Sequence, residues 1–324
     1  MLLKSNRISV EFIHILTDGA GAFEYFKSLL YTYLTLSGNN ISSSEGIILP
    51  ETPFSEEEIE DAYNKFFKKL PPPEKLAKAW HLPFRLNKKP RLRVIRAEME
   101  VEKLLEVARS YKVSITEYID SVYLYSLQTI YLAEKEKGKK QTGHVLRTEL
   151  PVNMRNKLPI RTMRNFSLFI LPEVDMRLGT YTFEEIVRMI HHFIQAKSDI
   201  KQIARFLSSN VSHEKQLIIR VLPLFIKRMV ISAVYRGLGS KRFTGIFTNL
   251  GSVRLPGEME DLIDALEILP PPPNPKVKVI CAVVSYKDKL RMCFCNITES
   301  NELERLILKH LSDSGIHIKI LNNN

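Results

Sequence analysis

The sequence predicts an α/β chain in two parts, residues 1–90 and 91–324, and three observations carry that prediction. A strand pattern runs through a short glycine-bearing turn into a helix close to the start. From Arg91 onward, period-2 and period-3.6 apolar patterns alternate. The chain closes on a hairpin, a helix and a strand. With 324 residues, 44% of them hydrophobic, it is long enough to bury a large core and to form two lobes.

In the first part, Ile8, Val10 and Phe12 alternate with Ser9, Glu11 and Ile13, which predicts a half-buried strand over 8–13, with His14 next on its apolar side. Phe23, Phe26, Leu30 and Leu34 fall at helical spacing, so a helix is expected over about 20–34. Asp18 suits its N-cap, with Gly19 and Gly21 in the turn before it. Residues 37–53, rich in Ser, Asn and Gly, read as a loop. Ser55 followed by Glu56, Glu57 and Glu58 starts a second helix carrying Ile59, Ala62, Tyr63, Phe66 and Phe67, which Pro71, Pro72 and Pro73 end. The basic, irregular stretch up to Pro90 reads as the connection between lobes.

In the second part, Leu92, Val94 and Ala97 mark a strand, and apolar stripes predict helices over 101–111 and 115–132. A solvated charge run follows over 134–140. Strands are expected over 145–152 and 166–174, then one long helix over 182–206. The apolar, basic stretch 217–235 predicts a helix, read as core packing in preference to a membrane-surface element. A strand over 243–248 and a helix or strand-like cover over 258–269 come next. A stiff proline linker over 270–275 precedes the hairpin 277–286 and 290–297, the helix 299–311 and the strand 316–320. Three cysteines do not make a disulfide framework. If Tyr286 pairs with Leu290 across a three-residue turn, Cys281 lies opposite Cys295. All three then read as small apolar core residues, with no fourth ligand for a metal.

The chemistry-bearing stretch is His14-Ile15-Leu16-Thr17-Asp18-Gly19. A histidine between a strand end and a helix start is placed to take a proton from a hydroxyl or amine as a general base. A lone histidine in such a place is more often structural; the string H-x-x-x-D-G with its flanking strand and helix is what singles this one out. It resembles the H-H-x-x-x-D-G motif of the CoA-dependent acyltransferase superfamily, which includes chloramphenicol acetyltransferase, condensation domains of peptide synthetases and alcohol O-acetyltransferases. Ile13 stands where the motif has its first histidine. The resemblance implies that His14 is the general base, and that Asp18 and Gly19 hold the architecture, Asp18 through a salt bridge.

Two later strings resemble the same superfamily. Leu150-Pro151-Val152-Asn153-Met154-Arg155 with Arg164-Asn165-Phe166 is similar to its Pro-Val-Asn-x-Arg…Asn segment, and scaffolding is expected of Arg155 and Asn165 at a cleft edge. Thr248-Asn249-Leu250-Gly251 is similar to the T-N-x-G string of the alcohol O-acetyltransferase branch, which carries Asn249 and Gly251 into the site; condensation domains have D-F-G-W-G there. His191-His192 mimics the paired histidines, but Ala196 falls where the aspartate should be and the pair sits mid-helix, so it is rejected as the active site.

The resemblance implies a two-lobed chloramphenicol acetyltransferase-like fold with mixed sheets and an incomplete first lobe, since only thirteen residues precede His14. It further implies acyl transfer, of an acetyl group in the first instance, from acyl-CoA to a small alcohol. Acyl-CoA is then a cosubstrate and no cofactor is tightly bound. A condensation-type domain using carrier-bound acyl groups, or a shortened non-catalytic member, is the alternative. The arginine that usually pairs with the motif aspartate often lies before the histidine, so no partner for Asp18 is named. Exposed apolar edges of the incomplete lobe predict self-association. The net charge of +11 suits nucleic acid, an acidic membrane surface or an anionic cosubstrate. The charges are spread and no nucleic-acid motif accompanies them, so no nucleic-acid partner is expected. Without a leader or a spanning apolar run, the chain is expected to be cytoplasmic with no transmembrane segment.

Overall fold

The structure is a computed structural model that describes residues 2–4, 6–53, 55–89, 91–215, 223–234 and 241–321. Its centre is a mixed eight-stranded sheet: β3 (Arg93–Glu100), β4 (Val145–Asn153), β5 (Ser167–Ile170), β6 (Glu173–Asp175), β7 (Gly245–Val253), β8 (Val279–Tyr286), β9 (Lys289–Asn296) and β10 (Lys319–Leu321). The order is β10-β3-β9-β8-β7-β4-β5, with β6 also on β4. β4 and β8 each run parallel to β7, and the other pairings are antiparallel. β8 is buried along its whole length, as its unbroken apolar run Val279-Ile280-Cys281-Ala282-Val283-Val284 requires of a strand covered on both faces.

One face is covered by α3 (Val101–Ser110), α4 (Ile115–Glu136), α5 (Phe183–Lys197) and α9 (Glu302–Asp313), whose apolar sides share a core with Met99, Leu146, Phe247, Val283, Met292 and Phe294. α4 and α5 both start on a capping box, Ser114 with Glu117 and Thr182 with Glu185. The opposite face is closed by the chain after β7. The short α8 (Met259–Leu262) sits there, Glu267 pairs with Arg96 at 3.3 Å, and the Cys295 Sγ reaches the Pro270 carbonyl at 3.2 Å.

The expected long helix over 182–206 is two. Ser198 caps α5 and Asp199 opens α6 (Ile200–Glu214) by accepting from the Lys201 N–H, a local bond that competes with helix continuation. The second helix of the first part shrinks to a 3-10 turn over Glu56–Ile59 and one turn of α2 (Ala62–Lys65), because Asp61 starts its own cap on Asn64. The charge run at 134 is partly helix, with Glu134 buried under two lysines, Lys137 and Lys139. The expected strand over 166–174 is interrupted into β5 and β6. Of the helix expected over 217–235, α7 (Leu224–Val234) is seen, while residues 216–222 and 235 lie outside the described residues. The stretch before Pro90 is irregular as expected, but it is anchored: Trp80 and Leu82 are buried in the main core and the Trp80 N–H donates to the Val145 carbonyl at 2.8 Å.

The hairpin register corrects the cysteine expectation. Tyr286 pairs with Lys289, not Leu290, so the turn has two residues, with Lys287 at φ 54°. A shift of one residue turns every side chain to the other face. Cys281 therefore stands opposite Phe294 on the helix-covered side, and Cys293 and Cys295 face the other way. All three are buried, as the sequence predicts.

Two carboxyls, one buried and one half-buried, tie stability to pH. Asp120 of α4 is fully buried and its carboxyl makes no hydrogen bond of good geometry; the Thr148 hydroxyl beside it is likewise unpartnered. Burial, slightly opposed by Thr148, pushes Asp120 from 3.8 to about 7. Burial alone pushes Glu149 on β4 from 4.5 to about 7. Each group is protonated in the folded chain and ionised in the unfolded chain between about pH 4 and pH 7. Their favourable contribution is thus complete below about pH 4 and is lost as pH rises through about 7. In denaturant titrations, Asp120→Asn is expected to reduce the pH dependence of stability across that window by up to about one proton. Parallel curves for the variant and the parent would contradict it.

Candidate active site

The motif aspartate organises the site. The expected strand over 8–13 is only β2 (Arg7–Ser9), paired with β1 (Leu2–Lys4); from Val10 to the helix the chain is loop. His14 therefore ends no strand. It opens a turn in which the Leu16 N–H donates to the Ile13 carbonyl at 2.9 Å. The imidazole is exposed, and so are its aliphatic neighbours Ile13, Ile15 and Leu16, at 68%, 87% and 67%. The apolar alternation thus belongs to a surface loop, not to a sheet edge.

Asp18 is the N-cap of α1 (Gly19–Leu36) and is 5% exposed. Its Oδ1 accepts from the Ala20 and Gly21 N–H groups at 3.1 and 3.2 Å. Its Oδ2 accepts from the Arg155 guanidinium at 2.8 Å and from the Phe166 N–H at 2.7 Å. Four donors converge on one buried carboxylate, which satisfies it completely. The partner that the sequence left unnamed is Arg155, from the second of the three strings. Arg155 is held on two further sides: Nε donates to the Thr162 carbonyl at 2.7 Å and Nη2 to the Arg164 carbonyl at 2.7 Å. Asp18 and Arg155 thus join the start of α1 to the loop between β4 and β5.

Asn165 reaches the histidine. Its Nδ2 donates to the His14 carbonyl at 3.0 Å and lies 3.2 Å from His14 Nδ1. Gly19 faces the third string: a Cβ there would stand 3.2 Å from Leu250 Cδ1. Around Leu250, Asn249 donates from Nδ2 to the Thr116 hydroxyl at 2.9 Å, and its Oδ1 accepts from the Gly251 N–H at 2.7 Å. Gly251 has φ +85° at the irregularity between Asn249 and Ser252 in the β7–β8 register, where a side chain would be strained. His14, Asp18, Gly19, Arg155, Asn165, Asn249 and Gly251 thus form one chain of neighbours.

Three participants, Thr17, Thr116 and Tyr63, carry no sequence signal as site residues, and a fourth, Gly21, reads from the sequence only as a turn residue. The Thr17 hydroxyl donates to the Met163 carbonyl at 2.7 Å. Thr116 receives Asn249. Tyr63 donates to the Ser167 carbonyl at 2.5 Å and stacks edge-on against Phe166. Burial, reinforced by the Asp18 charge, pushes its hydroxyl up to about 12, so it stays a donor. Gly21 could have been suspected from the Asp-Gly-Ala-Gly spacing. A Cβ on it would meet Thr17 Oγ1 and lie 2.6 Å from the Met163 carbonyl oxygen. Gly21→Ala is accordingly expected to cost about 1–3 kcal/mol, the usual range for overpacking, read as a lowered midpoint in urea; an unchanged midpoint would show that the 163 loop yields freely.

The His191-His192 pair lies elsewhere. His191 Nδ1 is 3.0 Å from the Glu117 carboxylate, which also accepts from the Ser114 N–H and hydroxyl and from Gln195. It borders a recess of about 380 Å³ lined by Tyr111, Val113, Val187 and Arg188 among others. Among the described residues, no hydrogen bond or ion pair joins it to Asp18.

No family model and no curated protein matches this chain. Solved structures do. The epimerization domain from the third module of tyrocidine synthetase B is 12% identical with a TM-score of 0.49, covering 93% of this chain and 67% of that one. A trichothecene 15-O-acetyltransferase from Fusarium sporotrichioides is 10% identical with a TM-score of 0.49, covering 92% and 63%. A wax ester synthase/diacylglycerol acyltransferase from Marinobacter aquaeolei is 14% identical with a TM-score of 0.41, covering 74% and 52%. This chain spans 67%, 63% and 52% of the length of these three structures, and only 23% of a nonribosomal peptide synthetase that it also matches. The three ordered strings that resemble those of the CoA-dependent acyltransferase superfamily lie next to one another around Asp18 in this mixed α/β chain.

Proposed function

We propose that the chain transfers an acyl group from a thioester donor to an acceptor nucleophile, with His14 as general base. The observation that supports this reading is the seating of the His14 turn: the buried Asp18 carboxylate, paired with Arg155, holds its far end and Asn165 holds the histidine itself. His14 takes the proton of an acceptor hydroxyl as the oxygen attacks the thioester carbonyl. The tetrahedral intermediate then expels the thiolate, which recovers the proton from the imidazolium, and an ester and a free thiol leave. No acyl-enzyme is invoked. All three cysteines are buried, and burial drives Cys281 well above its ordinary value, Cys293 to about 12 and Cys295 to about 11, so none supplies a thiolate near neutral pH.

The proposed donor is acyl-CoA, acetyl-CoA first, and the proposed acceptor a small alcohol, with no tightly bound cofactor. Thr248-Asn249-Leu250-Gly251, in place of D-F-G-W-G, favours a soluble thioester over a carrier-bound one. The test offers acetyl-CoA and longer acyl-CoAs with a panel of alcohols, in parallel with the same acyl groups on a phosphopantetheine carrier protein. Alcohol-dependent thiol release from CoA supports the proposal. Release only from the carrier would replace it with the condensation-type reading, and release from neither would point to a non-catalytic chain.

A further inference from the structure

Two hydrogen bonds to Ser167 decide which way the Asn165 amide faces. Its Oδ1 accepts from the Ser167 N–H at 3.3 Å and from the Ser167 hydroxyl at 3.1 Å. The opposite side of the amide meets the His14 carbonyl, which can only accept, at 3.0 Å. A flipped amide would set oxygen against oxygen at His14 and nitrogen against an N–H at Ser167, so the nitrogen belongs on the His14 side. That same Nδ2 lies 3.2 Å from His14 Nδ1. An amide nitrogen has no lone pair to offer, so Nδ1 is the acceptor and carries no hydrogen. A neutral imidazole has one N–H, which places the proton on Nε2.

We propose that Asn165 is a positioning residue that locks His14 in its Nε2–H tautomer and so gates the base. The inference rests on the general-base reading of His14. In the resting chain Nε2 presents a donor, and the one bare nitrogen is occupied by Asn165. For Nε2 to take a proton from an acceptor hydroxyl, the Asn165 amide must first leave Nδ1, Nε2 must give its proton to water, and Nδ1 must take one from water. The exposure of His14 leaves that exchange open to solvent. Asn165, expected from the sequence to be scaffolding, thereby lowers the fraction of chains in which the histidine can act. One hydrogen bond of ordinary strength biases the two tautomers by about fivefold.

The test is two-bond 1H–15N correlation spectroscopy on the full chain labelled at histidine, with His14→Gln to assign the signal, at a pH above the histidine titration. The expected result for the parent is a pyridine-like Nδ1 and a pyrrole-like Nε2. Asn165→Asp keeps the acceptor for Ser167 and replaces the donor facing His14 by an acceptor, so the two signals should exchange character. Asn165→Ala should bring them toward an average. A pyrrole-like Nδ1 in the parent, or an Asn165→Asp spectrum unchanged from it, would overturn the lock. Thiol release measured on the same samples separates the two readings. Rates that rise by up to about fivefold in Asn165→Asp alongside the exchanged signals support the gate. The expected spectra with no turnover in any variant would leave the lock standing and remove the general-base reading instead.

Discussion

Asp18→Ala is expected to be the most destabilising single change in the site, at about 3–5 kcal/mol, because it strands a largely buried arginine. Asp18 and Arg155 side chains are 5% and 15% exposed. Removing the carboxylate leaves the guanidinium facing a void and withdraws the acceptor from the Ala20, Gly21 and Phe166 N–H groups. Loss of an N-cap by itself costs about 1 kcal/mol; the unpaired charge makes up most of the rest. The measurement is urea unfolding of the parent, Asp18→Ala, Arg155→Leu and the double variant. The double variant should be less destabilised than the sum of the singles by about 1–3 kcal/mol, the signature of contacting residues. Additive effects would show that the two side chains act independently and would refute the pairing.

His14→Ala is expected to have the opposite profile, with little change in stability and a loss of acyl transfer of about 10²–10⁴-fold, the range for removing a positioned general base. The imidazole is exposed, and its side-chain contact is the Asn165 amide, so truncation leaves neither a cavity nor a buried orphan. Thiol release should fall in kcat, and the unfolding midpoint should stay within about 0.5 kcal/mol of the parent. Equal activity in parent and variant would remove His14 from the chemistry whatever the fold. Together the two substitutions separate the roles: one residue holds the turn, the other acts from it.

The sequence by itself determined the local elements whose signals are dense. The stripes of α3 and α4, the apolar run of β8 and the Asp18 N-cap follow from spacing and side-chain chemistry within a few residues, whereas the capping start read at Ser55 makes no side-chain cap bond. It also determined the three strings, since each is a short run of residues. Breaks were harder: the division between α5 and α6 turns on one Asp199 cap, and a strand over 8–13 failed because an apolar alternation looks the same in an exposed loop as at a sheet edge. Only the tertiary structure could decide pairings between distant residues. Arg155 is 137 positions from Asp18 and Asn165 is 151 from His14, and no periodicity links such positions. The hairpin register, a one-residue matter of turn geometry, decided that Cys281 and Cys295 occupy opposite faces. Gly21 became necessary only when the Met163 carbonyl was brought against it, because steric exclusion exists only between atoms that folding has placed together.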